Sequence, residues 1–299
     1  MDSLDELVRR SFRDWGLDQI ELTPLAGGIT NRNYTFTYDS RMFVVRIPGE
    51  QTNLLGIDRA NELEASVRAA DLGIGPPVVG VLDTIGTPVT QLVPGSHLDS
   101  TTFHDRLGEV VQLVRQFHVS GDLRGSFPIH RVVEWHARDA HLHGVPPPPQ
   151  FEMLHDVSCR IETAFLMSPE PQVPCHNDLL PANVLFDQHR TWLLDYEYAG
   201  MNDRYFDLGN LSVNVGLDLD ADEHLLQLYF GTVTDRARAR LALMKIMSEF
   251  REGMWAVVQQ AISSLDTDFV SYANERLDNC SRLATSHLLT AMLDDAATP

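Results

Sequence analysis

Apolar residues recur at three- and four-residue steps along several stretches of the chain. Leu4, Leu7, Val8 and Phe12 share one face of a helix predicted over residues 4–15, with Gly16 as its stop. Residues 59–70 read as a second helix, ended by the break Gly73-Ile74-Gly75-Pro76-Pro77. Phe103, Leu107, Val110, Val111, Val114 and Phe117 predict a third over 103–118. Residues 221–230 predict another helix and 236–262 one or two more, and the run Leu241-Ala242-Leu243-Met244-Lys245-Ile246-Met247 assigns most of that segment to the core. Elsewhere the pattern is strand-like, over 42–49, 78–82 and 88–93 and on both sides of Gly27-Gly28. Gly144-Val145-Pro146-Pro147-Pro148-Pro149 forms a stiff, exposed connector.

The most informative segment is Cys175-His176-Asn177-Asp178-Leu179-Leu180-Pro181-Ala182-Asn183-Val184-Leu185-Phe186, followed by Trp192-Leu193-Leu194-Asp195-Tyr196-Glu197. Asp178 and Asn183 are five residues apart with Pro181 between them, so they belong on a loop rather than on one face of a helix. Residues 184–186 then predict a strand, 187–190 a turn and 191–194 a second strand that delivers Asp195 at its exit. Such a hairpin returns Asp195 to the loop that carries Asp178 and Asn183. Phosphoryl transfer from a nucleotide needs one carboxylate to orient the acceptor hydroxyl and receive its proton, and oxygen ligands that hold magnesium against the phosphates. Asp178 suits the first role, Asn183 and Asp195 the second. Each acidic residue alone reads more readily as a solvated surface group or a turn cap; the joint pattern carries the weight. Upstream, the backbone amides of a Gly27-Gly28 turn could cradle phosphates, an ordinary hairpin being the alternative.

Composition narrows the setting. With 43% hydrophobic residues, the 299-residue chain can bury a substantial core and divide into two lobes. No apolar run is long enough to span a membrane, and Met1-Asp2-Ser3-Leu4-Asp5-Glu6 lacks the basic start of a secretion signal, so the cytoplasm is the expected compartment. Cys159, Cys175 and Cys280 are few and widely spaced, against a disulfide framework or a structural zinc site. A formal charge of -19 disfavours nucleic acid and anionic membranes as partners and suits a cationic small molecule.

The loop His176-Asn177-Asp178 through Asn183 resembles the His-x-Asp-x-x-x-x-Asn catalytic loop of the choline/ethanolamine kinase family, within the aminoglycoside phosphotransferase and protein-kinase-like superfamily. The run Asp195-Tyr196-Glu197-Tyr198-Ala199-Gly200-Met201-Asn202-Asp203-Arg204-Tyr205-Phe206-Asp207-Leu208 is similar to that branch in its acidic and aromatic content and its Phe-Asp ending. The resemblance implies an α+β, two-lobed protein-kinase-like fold, with an antiparallel-sheet nucleotide lobe over 1–93 and a mainly helical catalytic and acceptor lobe over 94–299. It implies ATP and Mg2+ as cofactors. Gly28, Thr30 and Asn31 would line a Gly-Gly-x-Thr-Asn nucleotide loop. The usual kinase lysine is absent, Lys245 being the single lysine of the chain, so Arg46 becomes the phosphate-binding cation, held by Glu62. Gln91 and Val93 would lie at the interlobe hinge formed by Leu92-Val93-Pro94-Gly95, against adenine. Acidic and aromatic residues of the later segments, Glu197, Tyr198, Tyr205, Asp207 and Trp255, would shape the acceptor pocket; Asp207 reads equally as a tie for the loop around Asp178, and Trp255 as core. His118 is assigned no chemical role.

The implied activity is phosphorylation of an amino-alcohol hydroxyl, choline first and ethanolamine next, with thiamine and aminoglycosides as alternatives. A non-catalytic nucleotide-binding scaffold and a metal-dependent phosphate hydrolase are the competing classes. The complete set Asp178, Asn183 and Asp195 argues against the scaffold, and the glycine turn, Arg46 and hinge in this order argue against the hydrolase.

Overall fold

The computed structural model describes residues 12, 20–25, 31–49, 51–82, 86–97, 100–263 and 265–298. The helix expected over 4–15 lies outside them apart from Phe12, as do Gly28 and Thr30.

A five-stranded antiparallel sheet opens the fold: β1 (Thr23–Leu25), β2 (Asn31–Tyr38), β3 (Arg41–Pro48), β4 (Val78–Leu82) and β5 (Thr87–Gln91), in spatial order β1-β2-β3-β5-β4. Asp39 and Ser40 both take positive φ, 47° and 61°, in the two-residue turn that joins β2 to β3, where mirror-type turns match the strand twist. Along β3 the period of two divides the side chains by role. Phe43, Val45 and Ile47 enter a small core with Phe12, Phe36, Leu82 and Val89, whereas the alternate residues Val44 and Arg46 line a cleft on the other face.

Helix α1 (Arg59–Asp71) lies between β3 and β4 in sequence. Its N-cap Asp58 accepts from the backbone N–H groups of Ala60 and Asn61, satisfying donors that have no partner within the helix. It buries Ala65 and Ala69 in a second, much larger core shared with the later helices. That core also takes up Leu55, Ile57 and Ile74.

After the short strand β6 (Ser96–His97), the helix expected over 103–118 is divided into α2 (Ser100–Asp105) and α3 (Leu107–His118). Arg106 leaves helical geometry at the junction, and its guanidinium lies 3.5 Å from the centre of the Phe186 ring. Helices α4 (Ile129–Leu142) and α5 (Phe151–Met167) follow, joined by the proline-rich connector. Strand β7 (Val173–Cys175) precedes the hairpin of β8 (Val184–Phe186) and β9 (Thr191–Leu193), in which Val184 faces Leu193, and β10 (Gly200–Asn202) pairs back onto β7.

The remaining chain is helical: α6 (Arg204–Val215), α7 (Leu219–Phe230), α8 (Asp235–Ile262), α9 (Phe269–Ala284) and α10 (Leu289–Ala297). The 236–262 segment is thus one helix, and it forms the centre of the large core. Gly209 lets α6 cross it closely, since a Cβ there would lie 2.8 Å from the Met244 carbonyl carbon. Asn210 pins the crossing by donating to Ser248 Oγ at 3.0 Å. Among the described residues, no helix is long and apolar enough to cross a membrane.

Candidate active site

The second residue of the loop after β7, Asn177, is left-handed, at φ 63°. Asparagine tolerates this conformation better than most side chains, and here its own hydrogen bonds offset a cost of about 1 kcal/mol. Its amide donates to the carbonyls of Cys175, Tyr198 and Gly200 at 3.3, 3.0 and 3.3 Å and accepts from Asn202 Nδ2 at 2.8 Å. From the first turn of α6, the fully buried Asp207 accepts the backbone N–H groups of His176 and Asn177 at 2.8 and 2.7 Å. His118 Nε2 approaches the same carboxylate at 3.0 Å and its Nδ1 meets Tyr229 Oη at 2.6 Å. Asn210 Oδ1 then accepts the Leu179 N–H at 2.6 Å. The backbone on both sides of Asp178 is therefore anchored to one helix.

Asp178 is buried, with each carboxylate oxygen engaged. Asn183 Nδ2 donates to its Oδ2 at 3.2 Å and to its backbone carbonyl at 2.8 Å, while Arg251 Nη1 lies 3.1 Å from Oδ1. Burial pushes the Asp178 carboxyl up to about 6, with Arg251 opposing the rise and Glu252 adding to it. The hairpin closes the site as expected: Leu194 donates its N–H to the Asn183 carbonyl at 2.8 Å, and Asp195 follows at φ 66°. A left-handed aspartate is a strained conformation of the kind that concentrates at functional sites.

Asp195 pairs with Arg46, and Glu62 and Glu197 each approach the same Nη1 at 3.7 Å. Arg59 donates to Glu62 at 2.6 Å and stands 3.8 Å from Glu197, which also accepts from Asn31 Nδ2 at 2.9 Å. Burial opposes the charge on Arg46, but Asp195, Glu197 and Glu62 together hold it protonated. Burial also raises the Glu197 carboxyl, with Asp195 adding to the shift and Arg46 countering it. Three carboxylates thus share two arginines where β3 and α1 face the hairpin exit.

A cleft of about 550 Å³ runs past both clusters. Its apolar side is formed by Val44, Pro76, Pro88, Leu92, Val93 and Leu185, with Gln91 at the edge. The same cleft is lined by Tyr198, Arg251, Glu252, Trp255 and Tyr272. Trp255 Nε1 donates to Tyr198 Oη at 3.0 Å, and Tyr272 Oη donates to Glu252 Oε2 at 3.2 Å. Glu252 also pairs with Arg251, whose guanidinium carbon lies 4.3 Å over the Tyr198 ring.

The structure brings Asn31, Arg46, Glu62, Gln91, Val93, Asp178, Asn183, Asp195, Tyr198 and Trp255 to this cleft. Trp255 both lines it and packs edge-on against Phe269 and Tyr272. Two acceptor expectations, Tyr205 and Asp207, fall outside this cleft, and a third, Glu197, lines it. Tyr205 is stacked on Phe230 and lies within 5.9 Å of Arg240, because its place on α6 turns it into the core. Asp207 has both oxygens committed to the loop and to His118, so it cannot meet a ligand. Glu197 reaches the cleft, but its carboxylate is turned to Asn31, Arg46 and Arg59, on the side of Asp195.

Sequence reasoning missed Arg251, Glu252 and Tyr272. Two of them were within reach of it: Arg251 and Glu252 stand four and three positions before Trp255, on one face of the same helix. Tyr272 arrives from α9, which no local pattern linked to the site.

A family model described as the APH phosphotransferase enzyme family matches residues 21–243. The chain belongs to this phosphotransferase enzyme family. Among curated relatives of this phosphotransferase, Protein LicA of Haemophilus influenzae is 24% identical over 86% of this chain and 78% of that protein. Ethanolamine kinase 2 of Mus musculus is 24% identical over 89% of this chain and 77% of its own length. A crystal structure of a choline/ethanolamine kinase family protein from Mesorhizobium loti superposes with a TM-score of 0.81, at 27% identity, covering 98% of this chain and 99% of that one. The phosphotransferase thus has the choline/ethanolamine kinase fold, with an antiparallel sheet at its amino-terminal end and a mostly helical remainder.

Proposed function

We propose that this phosphotransferase moves the terminal phosphoryl group of ATP to the hydroxyl of a small amino alcohol, with Asp178 as the base. The observation that carries the reading is the convergence of Asp178, Asn183 and Asp195 on one cleft that is also lined by apolar residues, a further carboxylate and aromatic rings. The apolar lining beside Gln91 and Val93 suits a nucleotide base, and Arg46 and Asn31 stand where its phosphates would pass. Oxygen donors suit magnesium. Asn183 turns its Nδ2 to Asp178, which leaves its Oδ1 as the donor atom, and Asp195 supplies a carboxylate. These two would hold the ion, which when bound neutralises phosphate charge.

Asp178 accepts the hydroxyl proton and aligns the attacking oxygen. In a loose transition state proton transfer is late, so orientation counts for more than basic strength. The fixed loop geometry around Asp178 fits that requirement.

Choline is the first acceptor expected from the sequence. A methylated ammonium has no N–H to donate and gains about 0.5–2 kcal/mol from each well-placed aromatic face. Trp255 is such a ring in the cleft lining, while Arg276 already stands 5.1 Å from the centre of the Tyr272 ring. Ethanolamine is favoured by one specific observation: Arg251 already covers the Tyr198 ring, so fewer aromatic faces are open to a methylated ammonium. Parallel kcat/KM measurements on choline, ethanolamine and thiamine test this. A preference for ethanolamine is the expected result. A preference for choline assigns the pocket to its aromatic faces, and turnover of neither removes the amino-alcohol assignment.

A further inference from the structure

Arg251 stands out because nothing in its surroundings suits a merely solubilising or capping arginine. Its side chain is 2% exposed, in the middle of α8, and only one of its three nitrogens has hydrogen-bond partners. That nitrogen, Nη1, is shared between Asp178 Oδ1 and Glu252 Oε1, while Nε and Nη2 are buried without a partner. The guanidinium carbon stands 4.3 Å over the centre of the Tyr198 ring and 5.8 Å from that of Phe127. Burying a cation is costly unless it is paired, so its place beside the proposed base calls for a reason.

We propose that Arg251 is a positioning residue for Asp178: it fixes the plane of the carboxylate that receives the acceptor proton, and Glu252 and Tyr198 keep it in place. This rests on the kinase reading given above. A carboxylate turns readily about its last side-chain bond, where the torsional preference is broad. Asn183 restrains only Oδ2. Arg251 restrains Oδ1, and the two contacts together leave the group one orientation toward the cleft. Arg251 cannot readily leave: Glu252 holds the same Nη1, and the Tyr198 ring below it is itself tied to Trp255 at 3.0 Å. The tight crossing of α8 by α6 at Gly209 fixes the helix that carries Arg251 relative to the helix that anchors the loop.

The competing explanation is that Arg251 only balances the charge of Glu252. The variants R251M, R251K and R251M/E252Q separate the two, with circular dichroism and thermal melts on each. The double variant removes the Glu252 charge together with that of Arg251, so only Asp178 loses its cation, whereas in R251M two buried carboxylates do. In R251M/E252Q, kcat for amino-alcohol phosphorylation is expected to fall by about 10²-fold, the size of effect that misplacing a reacting group produces, with KM for ATP within about twofold. R251K keeps the charge but offers a single point of contact in place of a planar fork, and its kcat is expected to lie between the two. A double variant with wild-type kcat overturns the positioning role while leaving the kinase reading intact. A wild-type protein that phosphorylates no alcohol sinks the kinase reading, and the role of Arg251 with it.

Discussion

Asp207 Oδ1 accepts the backbone N–H of Asn177 at 2.7 Å, across thirty residues of sequence and with no solvent access. The same carboxylate takes the His176 N–H and faces His118, so three donors depend on it. It therefore sets the shape of the loop that presents Asp178 without touching the cleft.

Replacing Asp207 with Ala leaves these donors buried and unpaired. At about 1–3 kcal/mol for each, the expected loss of stability is about 3 kcal/mol or more. Asp207→Asn keeps the volume but turns an N–H group toward donors, and should lose somewhat less. Urea unfolding curves measure the difference, with kcat determined on the folded fraction. A midpoint unchanged in D207A would contradict the structural role.

The acidic limb of the activity profile should report Asp178. Burial raises its carboxyl to about 6, and only the ionised form accepts a proton, so turnover is retained above that pH and lost as the pH falls through it. Glu252 contributes to the rise, so Glu252→Gln removes a neighbouring negative charge and lowers the Asp178 value. The limb should then move to lower pH, by up to about one unit for a close charge. Profiles of kcat against pH for wild type and E252Q check the sign; a shift to higher pH would reject it.

Much of the chemistry was legible because it is local. Asp178, Asn183 and Asp195 sit within eighteen residues, and a hairpin between apolar runs has one sensible way of joining them. The strand expected over 42–49 is β3, and the structure sets its Arg46 on the face away from the core residues Val45 and Ile47. Acceptor residues were harder, because their positions depend on how helices cross. Tyr205 and Asp207 share the acidic and aromatic character of a pocket, yet α6 turns both inward. Arg251, Glu252 and Tyr272 meet only after α8 and α9 pack together. The break at Arg106 was also hidden, since Phe103 and Leu107 keep the apolar spacing of a single helix across it.

The most direct measurement of the central claim is phosphorus NMR of the protein with magnesium, ATP and either ethanolamine or choline, run beside Asp178→Asn. Here a phosphomonoester of the alcohol should accumulate in step with ADP in wild type. In D178N, folded and still binding ATP, it should form about 10²–10⁴-fold more slowly. Free phosphate as the only product, or equal turnover in D178N, would contradict the account.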